Sequence, residues 1–455
     1  MNNTLRAVVV FSIMGALLIG VGFGQSWSVS LGLLNLCLIS AIMALGVNIQ
    51  WGYAGLFNVG TMGFAALGGV AALLVSKAPV TGAWAAGGAD LLSAFVALVV
   101  AVVVIRSLYK RLKGNPFRTP VMIIAGFVAY FAIRYFFDPA VQAIETYEAA
   151  KFGYLGGLGL PILFSWAVGG LFAAGAAWLV GKIALGLRAD YLAIATLGIS
   201  EIIVAILKNE DWLTRGVKNV TGLPRPVPYE FNLQQSEWFR GWVEWLHAGT
   251  LETLSADNRD AVLQSLVIDS SSLFVKLCYA GLFAIVLILI LVLCVLALHS
   301  PWGRMIRAIR DNEVAAGAMG KDVTGRHLQI FILGSAVVGI AGAMLTTLDG
   351  QFTPGTYNPL RFTFLIWVMV IVGGSGNNLG AVIGGFLIWF IWIEAEPGGA
   401  WLIDTVTSFL DDGNPVRAHL LDSAQHMRVI VMGLVLLLVL RFAPGGLLPE
   451  RLKQH

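Results

Sequence analysis

Apolar residues in this chain come in long unbroken stretches, not in strict alternation or in narrow stripes. Leu273 to Leu298 carries a single charge, Lys276, near one end. A helix needs ~20 apolar residues to cross a hydrocarbon core of ~30 Å, so this stretch predicts a membrane span. The same reading predicts spans near 7–24, 29–49, 57–76, 91–105, 120–137, 160–181, 189–207, 273–298, 328–348 and 428–441. The fourth and the last are short for the task and are expected to extend or tilt. Region 362–393 reads differently. Apolar pieces at 362–372 and 379–391 are joined by Gly373-Gly374-Ser375-Gly376-Asn377-Asn378. At 1.5 Å per residue an 11-residue piece makes a helix of only about 16 Å, about half a bilayer. That pattern predicts a broken or re-entrant pair, tolerated at membrane depth only inside protein or beside a water-filled cavity. The fold class is therefore all-α: a polytopic helical membrane protein of about 10–12 spans forming one transmembrane domain.

Composition supports the pattern. Of 455 residues, 58% are hydrophobic and 12% charged, against roughly 25% charged in soluble domains. Soluble enzyme, secreted disulfide domain and nucleic-acid binder are excluded as the main reading. Cys37, Cys278 and Cys294 all lie in apolar runs and read as small buried hydrophobes. The 53 glycines suit helices that must approach closely without a hydrophobic force between them. Arg6 precedes the first apolar run and no small-residue cleavage pattern follows before Trp27, so the run is expected to stay as a span.

Net charge is only +3; its distribution says more. Loop 106–118 has Arg106, Lys110, Arg111, Lys113 and Arg118 and no acid. Loop 299–327 has five basic residues against three acids. Both are expected inside by the positive-inside bias. Segments 208–272, with nine acids and six bases, and 394–427, with six acids and one base, are expected outside. Counting spans from an inner N-terminus agrees, provided 362–393 enters and returns, and leaves Arg441, Arg451 and Lys453 inside.

Catalytic chemistry finds little support. A phosphate-cradling loop needs Gly, four residues, then Gly-Lys-Ser/Thr. The pairs Gly181-Lys182 and Gly320-Lys321 lack both the earlier Gly and the following Ser or Thr. No nucleotide, cofactor or metal is expected on this chain. His419 and His426, with Asp411, Asp412 and Asp422 nearby, read as a solvated loop. Glu201 lies about twelve residues into its span, where a carboxylate is costly. It either lines a substrate route or bonds a neighbouring helix. Asn48, Asn58 and Thr196 carry the same two readings, helix glue being the commoner role of uncharged polar groups. Gly52-Tyr53-Ala54-Gly55 with Gly60 and Gly63 echoes Gly373 to Gly376 with Gly380 and Gly384. Transporters with inverted repeats interrupt helices in this way; ordinary glycine enrichment gives the same letters.

Residues 300–330 hold an amphipathic basic helix: Met305, Ile306 and Ile309 share one face, and Arg304, Arg307 and Arg310 another. Glu313, Ala315, Ala316 and Gly320 follow. This stretch resembles the cytoplasmic "EAA" loop of permease subunits in ATP-binding-cassette importers. Val314 stands where that family usually has Glu, with Glu313 displaced by one. Trp51 to Gly60 resembles the glycine signature of branched-chain amino-acid permeases. Leu187 to Gly198 with Ile199 to Ile203, Ser300 to Gly320, Val372 to Gly376 and Arg441 to Leu447 are similar to the LivM type of subunit, in the right order over roughly 30–450. Stretches 106–151 and 225–272 look longer than the family pattern.

The resemblance implies a second, similar permease subunit and two ATPase subunits that hold ATP-Mg. It also implies an extracytoplasmic substrate-binding protein, a place in the bacterial cytoplasmic membrane, and alternating access. Coupling to the ATPase is expected at Arg304, Met305, Ile306, Ile309, Glu313, Ala315, Ala316 and Gly320. The substrate route is expected to involve Asn48, Gly52, Gly55, Asn58, Thr196, Glu201, Gly373, Gly374 and Gly376. A urea or short-amide permease of the same importer family is the nearest alternative; an ion-coupled secondary transporter and a non-transport scaffold are the others.

Overall fold

The computed structural model describes residues 3–252, 256–411 and 414–450; Asp412, Arg451 and Lys453 lie outside them. Seven helices come first: α1 (Asn3–Gly24), α2 (Trp27–Val47), α3 (Thr61–Ser76), α4 (Thr81–Arg111), α5 (Arg118–Thr146), α6 (Leu163–Ala184) and α7 (Ala189–Asn209). Four short pieces follow, α8 (Asp211–Thr214), α9 (Glu230–Gln235), α10 (Glu237–Leu246) and α11 (Ala248–Leu251), before the long α12 (Ala256–His299). The chain continues through α13 (Pro301–Asp311), α14 (Glu313–Ala318), α15 (Val323–Asp349), α16 (Pro359–Gly373) and α17 (Asn378–Val406), then α18 (Pro415–Asp422) and α19 (Met427–Phe442). Among the described residues ten helical stretches are long and apolar enough to cross a membrane. The chain is an all-α polytopic membrane protein. In lipid a helix satisfies its own backbone groups, which is why apolar length alone selects this structure.

The two spans that read as short do extend: the fourth is α4, and the last runs from Pro415 through α19 to Phe442. The pair at 362–393 needs correction. α16 has 15 residues, but its partner α17 has 29 and is a full crossing. The acids within it each find a partner for one carboxylate oxygen. Glu394 accepts from Gln25 Nε2 at 2.7 Å, and Glu396 pairs with Arg428. The other short apolar helix is α3, which read as a complete span. Each short helix adjoins a break, 55–60 before α3 and 374–377 after α16. The order long–break–short in α2–α3 returns as short–break–long in α16–α17.

Small residues build the core. α3, α6 and α15 approach so closely that a Cβ on Gly339 would sit 2.5 Å from the Gly169 carbonyl oxygen. A Cβ on Gly385 of α17 would fall 2.6 Å from Cα of Ala41 on α2. Such contacts replace the hydrophobic force that lipid does not supply. By contrast α4 and α5 pack chiefly on each other. Leu92, Phe95, Phe127 and Phe131 stay exposed, as a lipid-facing hairpin requires.

The bundle has two unlike ends. At one, loops 106–118 and 299–327 gather; we call it the basic end. At the other, strand β1 (Val220–Thr221) pairs antiparallel with β2 (Gln351–Phe352), with Val220 opposite Phe352. Lys77 Nζ donates to the carbonyls of Thr221 and Gly222 at 2.8 and 3.0 Å and fastens this ribbon to the end of α3.

Candidate coupling site

At the basic end α13 starts where Ser300 caps it, accepting from the Gly303 amide, with Pro301 in the first turn. Gly303 lies against the backbone of Leu298; a Cβ there would come 2.5 Å from the Leu298 carbonyl oxygen. Arg304 donates to the His299 carbonyl and Arg307 to the Leu298 carbonyl, each at 3.1 Å. These are the unpaired last carbonyls of α12, the negative end of a 44-residue helix. The sequence placed the three arginines together on a free polar face. Two of them instead cap the preceding helix.

The apolar face of α13 also differs from expectation. Ile306 and Ile309 are each 1% exposed, sealed against this chain's own bundle, and Met305 is half-buried. They anchor the loop; they do not offer themselves to a partner. The exposed element is α14. Asn312 caps it by accepting from the Ala315 amide at 2.9 Å, and Glu313 sits exposed in its first turn. Val314 and Met319 are 83% and 80% exposed, Ala315 is exposed and Ala316 half-buried. Gly320 ends the turn at φ +75°, a conformation that side chains with a Cβ rarely adopt.

Arg310 ties this loop to the helix breaks. Its Nη1 donates to the Gly52 carbonyl at 2.6 Å and to Glu450 Oε2 at 2.9 Å, and its Nη2 pairs with Asp311 at 3.1 Å. Burial disfavours the guanidinium charge, yet the Glu450 and Asp311 carboxylates hold its pKa above the ordinary value. Gly52 closes a π-helical turn, Asn48–Gly52, at the end of α2. A Cβ on Gly52 would stand 2.5 Å from the Gly376 amide nitrogen, so only glycine lets the two breaks touch. Asn48 bridges them, accepting from the Gly376 amide at 2.9 Å and donating to Asn378 at 3.2 Å.

The C-terminal segment completes this node. Breaking the chain after α16 frees carbonyls that must find donors. The amides of Leu447 and Leu448 bond the carbonyls of Val372 and Gly373 at 2.8 and 2.9 Å. Gly374, at φ +113°, lies under the Leu448 and Gly445 carbonyls. Gly373, Gly374 and Gly376 are thus buried in a turn-to-tail contact, and none of them faces an open lumen.

The other expected route residues separate into groups. Asn58 donates to Gln50 Oε1 at 2.9 Å, and Gln50 Nε2 donates to Phe331 O and Ser335 Oγ at 2.9 and 3.0 Å. Thr196 Oγ1 accepts from the Val59 amide at 3.1 Å. Asn48, Asn58 and Thr196 are all at most 2% exposed, and their bonds join helices. Gly55 is exposed at φ +71°, beside Arg310. Glu201 is apart from all of them, on the exposed face of α7. Sequence reasoning missed Gln50, Asn378 and Glu450. Gln50 could have been noticed as an amide two residues before a glycine break, and Glu450 as an acid in a basic tail.

A profile of the family described as "Branched-chain amino acid transport system / permease component" matches residues 29–154 and 121–440. The chain is 28% identical over 250 residues to the high-affinity branched-chain amino acid transport system permease protein LivM of Escherichia coli, covering 54% of this chain and 53% of that protein. It is 28% identical over 156 residues to a probable LivM permease of Methanocaldococcus jannaschii, 34% of this chain and 41% of the relative. A probable LivH permease of that archaeon is 33% identical over 104 residues, 23% of this chain and 32% of the relative. The chain thus spans about half the length of the curated LivM it matches in E. coli. No solved structure matches it.

Proposed function

Since the chain belongs to the family of permease components of branched-chain amino acid transport systems, we propose that it is the membrane-spanning subunit of an ATP-driven importer for branched-chain amino acids. One observation carries the reading. The helix α13 is bonded through Arg310 to the meeting point of two broken helices, while α14 beyond it presents Val314 and Met319 outward. An apolar tip at the basic end suits a groove on an ATPase, the way amphipathic helices dock elsewhere.

The basic end is then cytoplasmic, in the cytoplasmic membrane. Two ATPase subunits carry ATP and Mg, a second permease of similar kind stands beside this one, and a binding protein delivers substrate to the acidic end. The LivH likeness supports the second permease. Closing of the ATPases displaces α13–α14 as a unit. Arg310 passes that displacement to Gly52 and, through Glu450, to Gly376, so α2–α3 and α16–α17 tilt together. ATP must favour one orientation over the other, because equal affinity for both would shift nothing. The test is reconstitution in vesicles with the partner chains, followed by uptake of labelled leucine with and without ATP. ATP-dependent uptake that vanishes without this chain supports the reading. Uptake driven by an ion gradient without ATP, or uptake of urea but not leucine, would replace it with another.

A further inference from the structure

The hairpin α4–α5 is fastened to the bundle near the acidic end. There Trp84 donates to the Leu155 carbonyl at 3.1 Å, and Phe137 packs edge-on against Trp212 with ring centres 5.7 Å apart. From Trp84 the helix runs on for roughly 39 Å to Lys110, at 1.5 Å per residue. Over that length the two helices pack chiefly on each other and keep Leu92, Phe95, Phe127 and Phe131 outward. The turn that joins them at the basic end therefore has lipid beside it, and its surroundings are the headgroups of one leaflet.

That turn carries Arg106, Lys110, Arg111, Lys113 and Arg118, and between Asp90 and Asp138 the sequence has no acid. Arg106, Lys110, Arg111 and Lys113 are exposed, and among the described residues none of their side chains has an ion pair or a hydrogen bond. Arg118 lies over the Tyr109 ring, 3.7 Å from its centre, which draws the start of α5 against the end of α4. Arg106 directly follows the apolar run that ends at Ile105, so charge begins where the hydrocarbon stops. Tyr109 and Phe117, at the same level, are 55% and 69% exposed. The positive-inside bias accounts for the sign of this charge. It does not account for five cations left without a counter-charge in the folded chain. They repel one another, and an anion among them relieves that repulsion.

We propose that the 106–118 turn binds anionic phospholipid, with phosphate oxygens held by Arg106, Lys110, Arg111 and Lys113 and the rings of Tyr109 and Phe117 seated at the glycerol level. A lipid with two phosphates, of the cardiolipin kind, fits better than one with a single phosphate, because each binding event brings more negative charge to the cluster. Free phosphate shares the chemistry, but the apolar flanks of the hairpin make a membrane lipid the source. The proposal stands on the geometry and charge of the hairpin and is independent of the permease reading.

The full chain in neutral detergent micelles, with Cys37, Cys278 and Cys294 changed to Ala and Asn115→Cys carrying an environment-sensitive fluorophore, reads binding at the turn. Cardiolipin and phosphatidylglycerol added in mixed micelles are expected to shift the emission, cardiolipin at the lower concentration. Phosphatidylcholine and inorganic phosphate should leave it unchanged, and added salt should weaken the response to both anionic lipids. Arg106→Gln, Lys110→Gln and Lys113→Gln together should raise the cardiolipin concentration required at least ~10-fold, because each lost cation removes part of the attraction. Lys110→Arg with Lys113→Arg keeps the charge and should keep the binding. Lys151→Gln, Lys208→Gln and Arg240→Gln together remove as much charge at the opposite end and should change nothing. Elution and melting temperature equal to the parent's report an intact fold in every variant. Equal responses to phosphatidylcholine and cardiolipin, a full response to inorganic phosphate alone, or undiminished cardiolipin binding in the 106/110/113 variant would overturn the proposal. An equal loss in the 151/208/240 variant would overturn it as well, by reducing the effect to net charge.

Discussion

At the residue scale Arg310 and Gly52 do what no neighbour of the same type does. Arg304 and Arg307 spend donors on the end of α12, whereas Arg310 reaches the Gly52 carbonyl and Glu450 in a site where its side chain is 19% exposed. Arg310→Met strands a carbonyl and a carboxylate together. We expect a loss of about 1–3 kcal/mol in stability, the usual cost of unsatisfied polar groups away from water, and collapse of ATP-dependent uptake. Glu450→Gln keeps an acceptor for Arg310 and should cost less; denaturation in detergent with uptake in vesicles checks both. Two glycines give a sharper contrast. Gly52→Ala drives a methyl into the Gly376 amide nitrogen, a backbone atom, and into Asn48 Oδ1, which its bond to that amide holds in place; such overpacking costs about 1–3 kcal/mol. Gly55→Ala meets only Arg310 Cγ at 3.5 Å, so its cost is conformational, about 1 kcal/mol for a positive φ. Transport in the Gly52 variant equal to that in the Gly55 variant would refute a role for the touching breaks.

At the element scale the apolar runs were a good guide to where helices lie and a poor one to which face is used. Nearly every run became a span, because length and apolarity alone decide crossing in lipid. The amphipathic stripe on α13 was read correctly as a stripe, but its partner was taken to be outside the chain. Ile306 and Ile309 face inward because the turn at Ser300-Pro301 lays the helix back over the bundle, a geometry that periodicity does not encode. The glycine echo was legible as spacing, while the contact between its two halves was not, since Asn48 and Gly376 are 328 residues apart. On the coupling proposal, docking falls to α14, the element that stays exposed. Val314→Asp and Met319→Asp are expected to abolish co-purification of the ATPase while leaving insertion intact. Arg307→Ala should loosen the α12–α13 corner and change recovery only mildly. If recovery instead follows the basic residues and falls with salt, while Val314→Asp binds normally, α13–α14 lies on lipid headgroups, where each basic residue contributes about 1 kcal/mol.

At the scale of the whole molecule one feature bears on which end faces the cytoplasm, and two others set the opposite end at the far membrane boundary. Basic loops 106–118 and 299–327 gather at the end where α13, α14 and Glu450 sit. The opposite end carries the β1–β2 ribbon and α10, whose Phe239 and Val243 are buried while Trp238 and Trp245 are 61% and 73% exposed. Tryptophans with one apolar side and one polar edge collect at membrane–water boundaries. Trp238, Phe239 and Trp242 pack around Phe274 of α12. Phe274 lies 25 residues before His299, which at 1.5 Å per residue sets α10 roughly 37 Å from the basic end, the far boundary of one bilayer. A cysteine replacing Arg240, exposed on α10, should therefore react with an impermeant thiol reagent added to intact cells. One replacing Lys110, exposed at the end of α4, should react only after the membrane is opened. Reaction at 110 but not at 240 would invert the molecule. It would also put α14 outside, beyond reach of any ATPase, so the labelling pattern bears on coupling as directly as on topology.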